Sequence, residues 1–287
     1  MMIKERIIVS LTTWSKRIRN IPIVLDTIFA QTVPPDFVVL NLSYDEQIPA
    51  DVNDYIKLHD IKVARMPDMK VFKKLIPTLK KYPNDCVISI DDDWLYPETM
   101  IEDFMNIHEQ YPIFPISGNR IIKHGMQCHC GCASLTKACF FGKDLDLVDD
   151  ELMKNCPSDD IVYTFFANKN GHPYVRTNML YFENMKPYNA MDSYSANTDG
   201  NAGIESSYNY LVNRFGEIDK GFLPYINDEY LANIIFDIHQ KEIGDERNET
   251  RRKTSEEFCS TKPYRIGYAL IFPIFWVKSV ALRLFKN

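Results

Sequence analysis

The sequence has 287 residues, of which 45% are hydrophobic and 13% aromatic, so it can bury one large core or two small ones. Charged residues make up 25% of the chain and are well mixed, which argues against global disorder. The formal charge of −6 argues against a nucleic-acid-binding protein, because that class usually carries a net basic face. An anionic small ligand is not excluded, since a bound metal can supply the missing positive charge.

The cysteines and the first residues bear on the cellular compartment. Seven cysteines follow no regular spacing, and Cys86 lies inside an apolar run. That usage is typical of a reducing compartment rather than of a secreted disulfide scaffold. The segment from Met1 to Ser10 is too short and too quickly polar for a signal peptide. We therefore expect a cytoplasmic protein.

The first part of the chain alternates short apolar runs with segments of helical pattern. Residues 6–12 predict a buried strand, and Asn20 followed by Pro22 predicts the start of a helix that ends near Gln31. Further strands are predicted at 37–42, 61–66 and 86–90, and helices at 50–59 and 75–81. This alternation is typical of βαβ units, so we predict a Rossmann-like α/β fold with a mostly parallel sheet flanked by helices.

After Tyr111 the pattern becomes less regular. Short strands are predicted at 114–117, 132–135 and 138–142, and helices at 144–155, 159–168, 204–215 and 227–240. Residues 186–203 are rich in Asn, Ser, Asp and Gly, which is typical of a long functional loop. We predict one domain over 1–241, with halves 1–111 and 112–241, and a polar linker at 242–265.

Residues 266–287 form an apolar and aromatic tail. Its uninterrupted apolar part of about twelve residues is shorter than the roughly 20 needed to span a bilayer. One interpretation is an amphipathic helix in the membrane interface, favoured by nearby Arg251, Arg252, Lys253 and Arg265. This would place the protein on the cytoplasmic face of the inner membrane. The other interpretation is a terminal helix docked on the domain's own core.

Three acidic residues, Asp91, Asp92 and Asp93, directly follow the fourth predicted strand. In open α/β sheets the carboxyl ends of the strands are where ligands bind. Strand alternation predicts that Asp91 and Asp93 share one side, and such crowding raises carboxylate pKa values unless a cation neutralises the charge. Oxygen-only ligands suit Mn²⁺ or Mg²⁺. The alternative is a solvated acidic turn that caps the helix near Pro97.

Three segments carry a resemblance to a known family: Ile-Val-Ser-Leu-Thr-Thr-Trp at 8–14, Lys-Leu-Ile-Pro at 74–77 and Val-Ile-Ser-Ile-Asp-Asp-Asp-Trp-Leu-Tyr-Pro at 87–97. Over residues 6–215 the chain resembles bacterial GT-A glycosyltransferases of the family-2-like group, which make capsule or lipopolysaccharide sugar chains. The resemblance implies the GT-A fold and transfer from a nucleotide sugar, expected to be a UDP-sugar. The implied acceptor is a hydroxyl of a glycan or lipid-linked saccharide, and the implied outcome is inversion.

The aspartates correspond to the Asp-x-Asp signature of that family, which binds the metal and the nucleotide sugar. On this resemblance Asp93 is the expected metal ligand, with Asp91 as a second, and Asp91 and Asp92 face the donor. GT-A enzymes commonly add a later histidine as a metal ligand. His172 and His239 are available, but a core or surface histidine is the better interpretation of both.

Basic and hydroxyl residues are expected around the donor. Thr12, Thr13 and Arg17 follow the first strand, where GT-A enzymes usually seat the nucleotide base and ribose. Arg17 suits a phosphate or the uracil edge, with a solvated arginine at a helix entry as the alternative. Lys73 and Lys74 are predicted to open a helix opposite the aspartates. Lys74 in particular is expected to contact the diphosphate, with a plain surface lysine as the alternative.

A second acidic site follows Ser158, which predicts a helix N-cap with Asp159 and Asp160 in the first turn. Acidic residues there also simply complement the helix dipole. The position resembles the Asp-Asp pair that opens a helix in this family, where one carboxylate is the catalytic base that takes the proton of the acceptor hydroxyl. We favour Asp160 over Asp159 for this role.

Gly131 and Cys132 correspond to the family's small-residue stretch, against which the donor and acceptor sugars lie, although cysteine departs from the pattern. Cys128, Cys130 and Cys132, with His129, also suggest zinc. Their spacing differs from the paired C-x₂-C of structural zinc sites, so thiols without metal are the preferred interpretation.

Two other functions are considered. A nucleotidyltransferase of related fold would normally carry a Gly-rich loop after the first strand, which Thr-Thr-Trp-Ser-Lys-Arg at 12–17 lacks. The other is a non-catalytic, membrane-associated protein that binds a glycan or a nucleotide. Release of the nucleoside diphosphate distinguishes an enzyme from such a binder.

Overall fold

The computed structural model describes residues 5–118, 122–123, 126–129, 132–176, 185–188 and 200–218. The chain divides into two compact units, residues 1–121 with 127–218 and residues 122–126 with 219–287. The predicted helix at 227–240, the linker and the tail all lie outside the described residues. Within the described part, no helix is long and apolar enough to cross a membrane.

Eleven strands occur in the described residues. They are β1 (Ile7–Thr12), β2 (Phe37–Ser43), β3 (Lys62–Met66), β4 (Cys86–Ile90), β5 (Trp94–Leu95), β6 (Ile116–Ser117), β7 (Ile122–Lys123), β8 (Met126–Gln127), β9 (Ala133–Thr136), β10 (Val175–Arg176) and β11 (Lys186–Pro187). Seven of them form one sheet in the order β10-β6-β9-β4-β1-β2-β3. Strands β1 to β4 pair in parallel, β9 is antiparallel to β4 and β6, and β10 is parallel to β6.

In the described residues, seven α-helices connect and cover these strands. They are α1 (Ile21–Phe29), α2 (Ala50–Leu58), α3 (Ile76–Lys81), α4 (Met100–Gln110), α5 (Asp150–Asn155), α6 (Asp159–Lys169) and α7 (Gly200–Phe215). The predicted α/β fold is confirmed, and so are the four parallel strands. All five residues of β4 are buried, as is typical of a parallel strand covered on both faces.

The predicted strand at 138–142 is wrong. Residues Ala138–Phe141 form a 3-10 helix that ends at Gly142, whose φ of 54° is accessible to glycine without strain. Phe140 and Phe141 are both buried.

The predicted helix at 144–155 is two helices. A 3-10 helix spans Asp144–Leu147, and α5 begins only at Asp150 because Asp149 is extended, with φ −99° and ψ 177°. The Asp149 carboxylate accepts a hydrogen bond from the Leu152 backbone N–H at 2.8 Å, so it is an N-cap. Helix α7 begins at Gly200, inside the stretch predicted to be a loop.

Asp149 also joins α5 to α7. Both of its oxygens accept hydrogen bonds from the Arg214 guanidinium, at 3.0 and 2.6 Å. Arg214 and the Leu152 N–H together lower the pKa of Asp149 to about 2. A folded-state pKa below the unfolded value means that this stabilisation is present above about pH 4 and is lost as the pH falls towards 2.

We expect Asp149→Ala to lower the free energy of unfolding by about 1 kcal/mol at pH 7, chiefly through the lost cap. Urea unfolding followed by circular dichroism measures this change. The difference in the free energy of unfolding between the variant and the parent should become smaller below about pH 4, as the Asp149 carboxylate of the parent becomes protonated. Asp146→Ala is the matched control, because Asp146 forms only an exposed ion pair with Lys80. Equal losses in the two variants would contradict the assignment.

Candidate functional site

The candidate site lies at the carboxyl ends of β1 and β4. These strands are adjacent and parallel, with Ser10 opposite Ser89, so the segments that follow them meet at one edge of the sheet. Thr13 and Arg17 come from the segment after β1, and the three aspartates come from the segment after β4. The fold therefore joins Arg17 to Asp93 and Thr13 to Asp92, which lie 76 and 79 positions apart along the chain.

Arg17 bridges two of the aspartates. Its guanidinium lies 2.6 Å from Asp92 Oδ1 and 2.6 Å from Asp93 Oδ2. The Thr13 hydroxyl donates to the second oxygen of Asp92. Asn20 precedes α1, as predicted, but its side chain makes no capping hydrogen bond; its amide donates instead to the Asp92 carbonyl at 3.2 Å. The aspartate loop is thus held by side chains from the β1–α1 connection.

Burial and like charge act on these carboxylates together. Burial raises the pKa of Asp92 to about 7, even though Arg17 and Thr13 both favour the charged form. Burial and the charge of Asp91 also raise the pKa of Asp93. Electrostatic crowding of this kind is offset by cations, and it is the condition under which carboxylates bind a metal.

Lys74 is a buried cation between the two acidic sites. Lys74 is the last residue of a 3-10 helix, Lys70–Lys74, and α3 begins only at Ile76. The prediction that Lys73 and Lys74 open a helix is therefore wrong. The Lys74 Nζ lies 3.0 Å from Asp91 Oδ1 and 3.6 Å from Asp159 Oδ2. Burial alone would lower the pKa of Lys74, but the nearby carboxylates raise it well above its usual value. Lys74 therefore stays charged and links the aspartate triplet to the start of α6.

The two aspartates at the start of α6 have different environments. Asp159 is buried, and its Oδ2 has no hydrogen-bond partner among the described residues. Asp160 is more exposed, at 30% of its side-chain surface, and its Oδ1 lies 3.0 Å from His129 Nδ1. Asp159 therefore faces Lys74, whereas Asp160 combines a held carboxylate with access from solvent.

His129 is a site residue that the sequence interpretation did not identify. Its side chain is fully buried, and its Nε2 lies 3.2 Å from Ser89 Oγ on β4. Its backbone N–H donates to Thr164 Oγ1 on α6 at 2.8 Å. The ring is thus fixed between the central sheet and α6, with Nδ1 facing Asp160. In the sequence His129 stands out only by its position in the cysteine-rich stretch, and that stretch was interpreted as thiols without metal.

Cys132 also lies next to the triplet, through its backbone. The Tyr96 hydroxyl donates to the Cys132 carbonyl at 2.7 Å and accepts from the Asp91 N–H at 2.9 Å. The segment predicted to lie on the acceptor side therefore contacts the aspartate loop. Its neighbour Gly131 lies outside the described residues.

Three candidate residues have other contacts. The Thr12 hydroxyl donates to the Asn41 carbonyl on β2 at 2.8 Å. Lys73 points to Ser43 and Asp68 rather than to the triplet. His172 Nδ1 lies 2.8 Å from the Ile113 carbonyl oxygen.

The cysteine-rich stretch does not form a zinc cluster in the part of the chain that the structure describes. There, neither Cys128 nor Cys132 belongs to a group of three potential metal ligands. Cys130 and the candidate histidine His239 lie outside the described residues.

The aspartates fit a hard divalent cation held together with a substrate. Among the described residues the three carboxylates do not converge on one point, since Arg17 holds Asp92 and Asp93 and Lys74 holds Asp91. Such a donor set offers one or two carboxylates to a metal. Mg²⁺ and Mn²⁺ commonly bind proteins through that number of carboxylates and take further oxygen ligands from the substrate phosphates. Asp91 and Asp93 are the residues that would hold the cation.

Comparisons with known proteins bear on the fold. No protein-family model matches the chain, and no curated protein sequence matches it. Its structure is similar to that of mannosyltransferase PcManGT from Pyrobaculum calidifontis in complex with GDP-Man and Mn²⁺. The TM-score is 0.53 at 15% identity, over 94% of this chain and 86% of that one. The chain has the GT-A fold.

A second similar structure is S. aureus TarS 1–349 in complex with UDP-GlcNAc, with a TM-score of 0.50 at 13% identity over 82% of this chain and 73% of that one. At these identities the similarity establishes the GT-A fold alone. The capsule and lipopolysaccharide subgroup therefore stays a prediction.

Proposed function

We propose that this chain is a metal-dependent glycosyltransferase that moves a sugar from a nucleotide sugar to an acceptor hydroxyl. The observation that carries the proposal is the continuous charged set at one sheet edge of the GT-A fold. Arg17 joins Asp92 to Asp93, and Lys74 joins Asp91 to Asp159. This set provides cations for a diphosphate and carboxylates for a metal.

The donor is assigned to the β1 side of the site. Arg17 is permanently charged and Lys74 adds a second fixed positive charge, so together they suit a diphosphate. The similar proteins were solved with GDP-Man and with UDP-GlcNAc, which supports a nucleotide-sugar donor. We favour a UDP-sugar, with Thr12 and Thr13 near the base and ribose.

A divalent cation held by Asp93 and Asp91 would act as a Lewis acid on the leaving diphosphate. Mn²⁺ is the ion present in the mannosyltransferase complex, and an oxygen donor set accepts Mn²⁺ or Mg²⁺ equally well. Arg17 and Lys74 would orient the same diphosphate and offset its charge.

The acceptor is assigned to the α6 side. Asp160 would take the proton of the attacking hydroxyl, and the hydrogen bond to His129 holds one of its oxygens in place. Asp159 serves instead to hold Lys74. Direct displacement with one base predicts inversion at the anomeric carbon. A glycan or a lipid-linked saccharide is the proposed acceptor, and attachment to the inner membrane surface through 266–287 is a prediction.

The deciding experiment is in two stages. Thermal denaturation of the full chain with a panel of UDP- and GDP-sugars, with and without Mn²⁺, should show stabilisation by one donor that depends on the metal. Saccharide acceptors are then screened with that donor for release of nucleoside diphosphate.

Each alternative function predicts a different outcome. Stabilisation without release for any acceptor would favour a non-catalytic binding protein. Release of pyrophosphate from a nucleoside triphosphate and a sugar phosphate would favour a nucleotidyltransferase instead.

A further inference from the structure

A second cluster of potential metal ligands lies at the opposite end of β4. Cys86 opens that strand, Glu5 lies just before β1, and His108 lies in the last turn of α4. The aspartate triplet begins five residues after Cys86. Since a strand rises about 3.3 Å per residue, the two clusters are roughly 16 Å apart. The two sites are therefore separate.

Two of the three separations in this cluster are those of ligands around one ion. Glu5 Oε2 lies 3.2 Å from Cys86 Sγ and 3.3 Å from His108 Nε2, and all three ligand atoms lie within 4.8 Å of one another. Tetrahedral Zn²⁺ has bonds of about 2.0–2.3 Å, which place its ligand atoms roughly 3.3–3.5 Å apart. Small movements of these side chains would complete a zinc site.

The cluster is accessible to solvent from the side of Glu5. Cys86 and His108 are buried, whereas the Glu5 side chain is 41% exposed and opens the cluster to solvent. The other oxygen of Glu5 is held by Lys137, which fixes the carboxylate with Oε2 towards the thiol and the imidazole. Burial lowers the pKa of His108, which favours the neutral ring that metals bind, and it raises the pKa of the Cys86 thiol, whose proton a metal must displace.

We propose that Glu5, Cys86 and His108 bind one Zn²⁺ ion, with water from solvent as the fourth ligand. A thiol and an imidazole select zinc over Mn²⁺ or Mg²⁺, which suit the oxygen-only set of Asp91 and Asp93. On binding, the Cys86 S–H bond breaks, its electron pair forms the Zn–S bond, and the proton passes to solvent. The ion would tie the segment before β1 to β4 and α4.

The test uses the full chain, stripped with a chelator and titrated with Co²⁺ and then Zn²⁺. The parent protein should bind one Co²⁺ with a thiolate-to-cobalt absorption band in the near ultraviolet, and Zn²⁺ should displace it and raise the melting temperature. Cys86→Ala should abolish the band. Glu5→Gln should weaken Co²⁺ binding about tenfold or more, and its exposed position leaves folding intact.

Two controls separate this site from others. Cys139→Ser removes an exposed thiol, and Asp93→Asn alters the proposed catalytic metal site, so both should keep the band and the affinity. The proposal is overturned if the parent shows no thiolate band, or if Cys86→Ala keeps it. A band that disappears in Cys132→Ala but not in Cys86→Ala would place the metal in the cysteine-rich stretch, which also overturns the proposal.

Discussion

Replacing Asp93 with asparagine is expected to abolish sugar transfer and metal-dependent donor binding together. Asparagine keeps the size of the side chain but removes the negative charge that would hold the cation. A catalytic metal contributes several kcal/mol of charge stabilisation, so we expect turnover to fall by roughly a thousandfold or more. Nucleoside diphosphate release measures turnover, and thermal denaturation with donor and Mn²⁺ measures binding.

The structure provides a control for this prediction. Asp54 is an exposed aspartate on α2 with only a surface ion pair to Lys57, so Asp54→Asn should behave as the parent. In Asp93→Asn the Arg17 guanidinium keeps its contact with Asp92, which limits the structural damage. Activity that Mn²⁺ still stimulates in Asp93→Asn would contradict the role of Asp93 as a metal ligand.

The first half of the fold could be predicted because β1, β2 and β4 are buried along most of their length. The runs at 6–12, 37–42 and 86–90 are mainly apolar and separated by helical patterns, which is sufficient to indicate a parallel sheet. Placing Asp91 after the fourth strand then located the candidate site without any knowledge of side-chain contacts.

Contacts within the site could not be predicted in the same way. Arg17 reaches Asp92 and Asp93 because a short turn follows β1, and no periodic pattern describes that turn. His129 lies in a connection between two short strands, where apolar periodicity is absent. Its place beside Asp160 depends on α6, a helix buried almost all round.

The short elements after Tyr111 show the same limit. The 3-10 helix at Ala138–Phe141 was predicted as a strand because a run of apolar residues that short fits either structure. Which of the two structures such a run adopts depends on tertiary packing, which the local sequence does not show.

Replacing Asp160 with asparagine is expected to lower kcat by about a hundredfold to ten-thousandfold, the usual contribution of a general base. Donor binding should not change, because we assign Asp160 to the acceptor side and because Lys74 is held by Asp91 and Asp159. Steady-state kinetics and donor-dependent thermal denaturation separate the two effects. Asp159→Asn is the matched comparison: it should weaken donor binding by loosening Lys74. A larger kcat loss in Asp159→Asn than in Asp160→Asn would reverse the two assignments.

His129 provides the last and most selective test of that base. Its Nδ1 contacts Asp160 but its ring is fully buried, so it acts by holding the carboxylate rather than by touching the substrate.

We expect His129→Asn to lower kcat by roughly tenfold to a hundredfold, since misplacement of a catalytic group by about 1 Å has an effect of that size. In an Asp160→Asn background the same change should have little further effect, since the two residues act as one unit. Independent losses in the double variant would show that His129 supports only the fold.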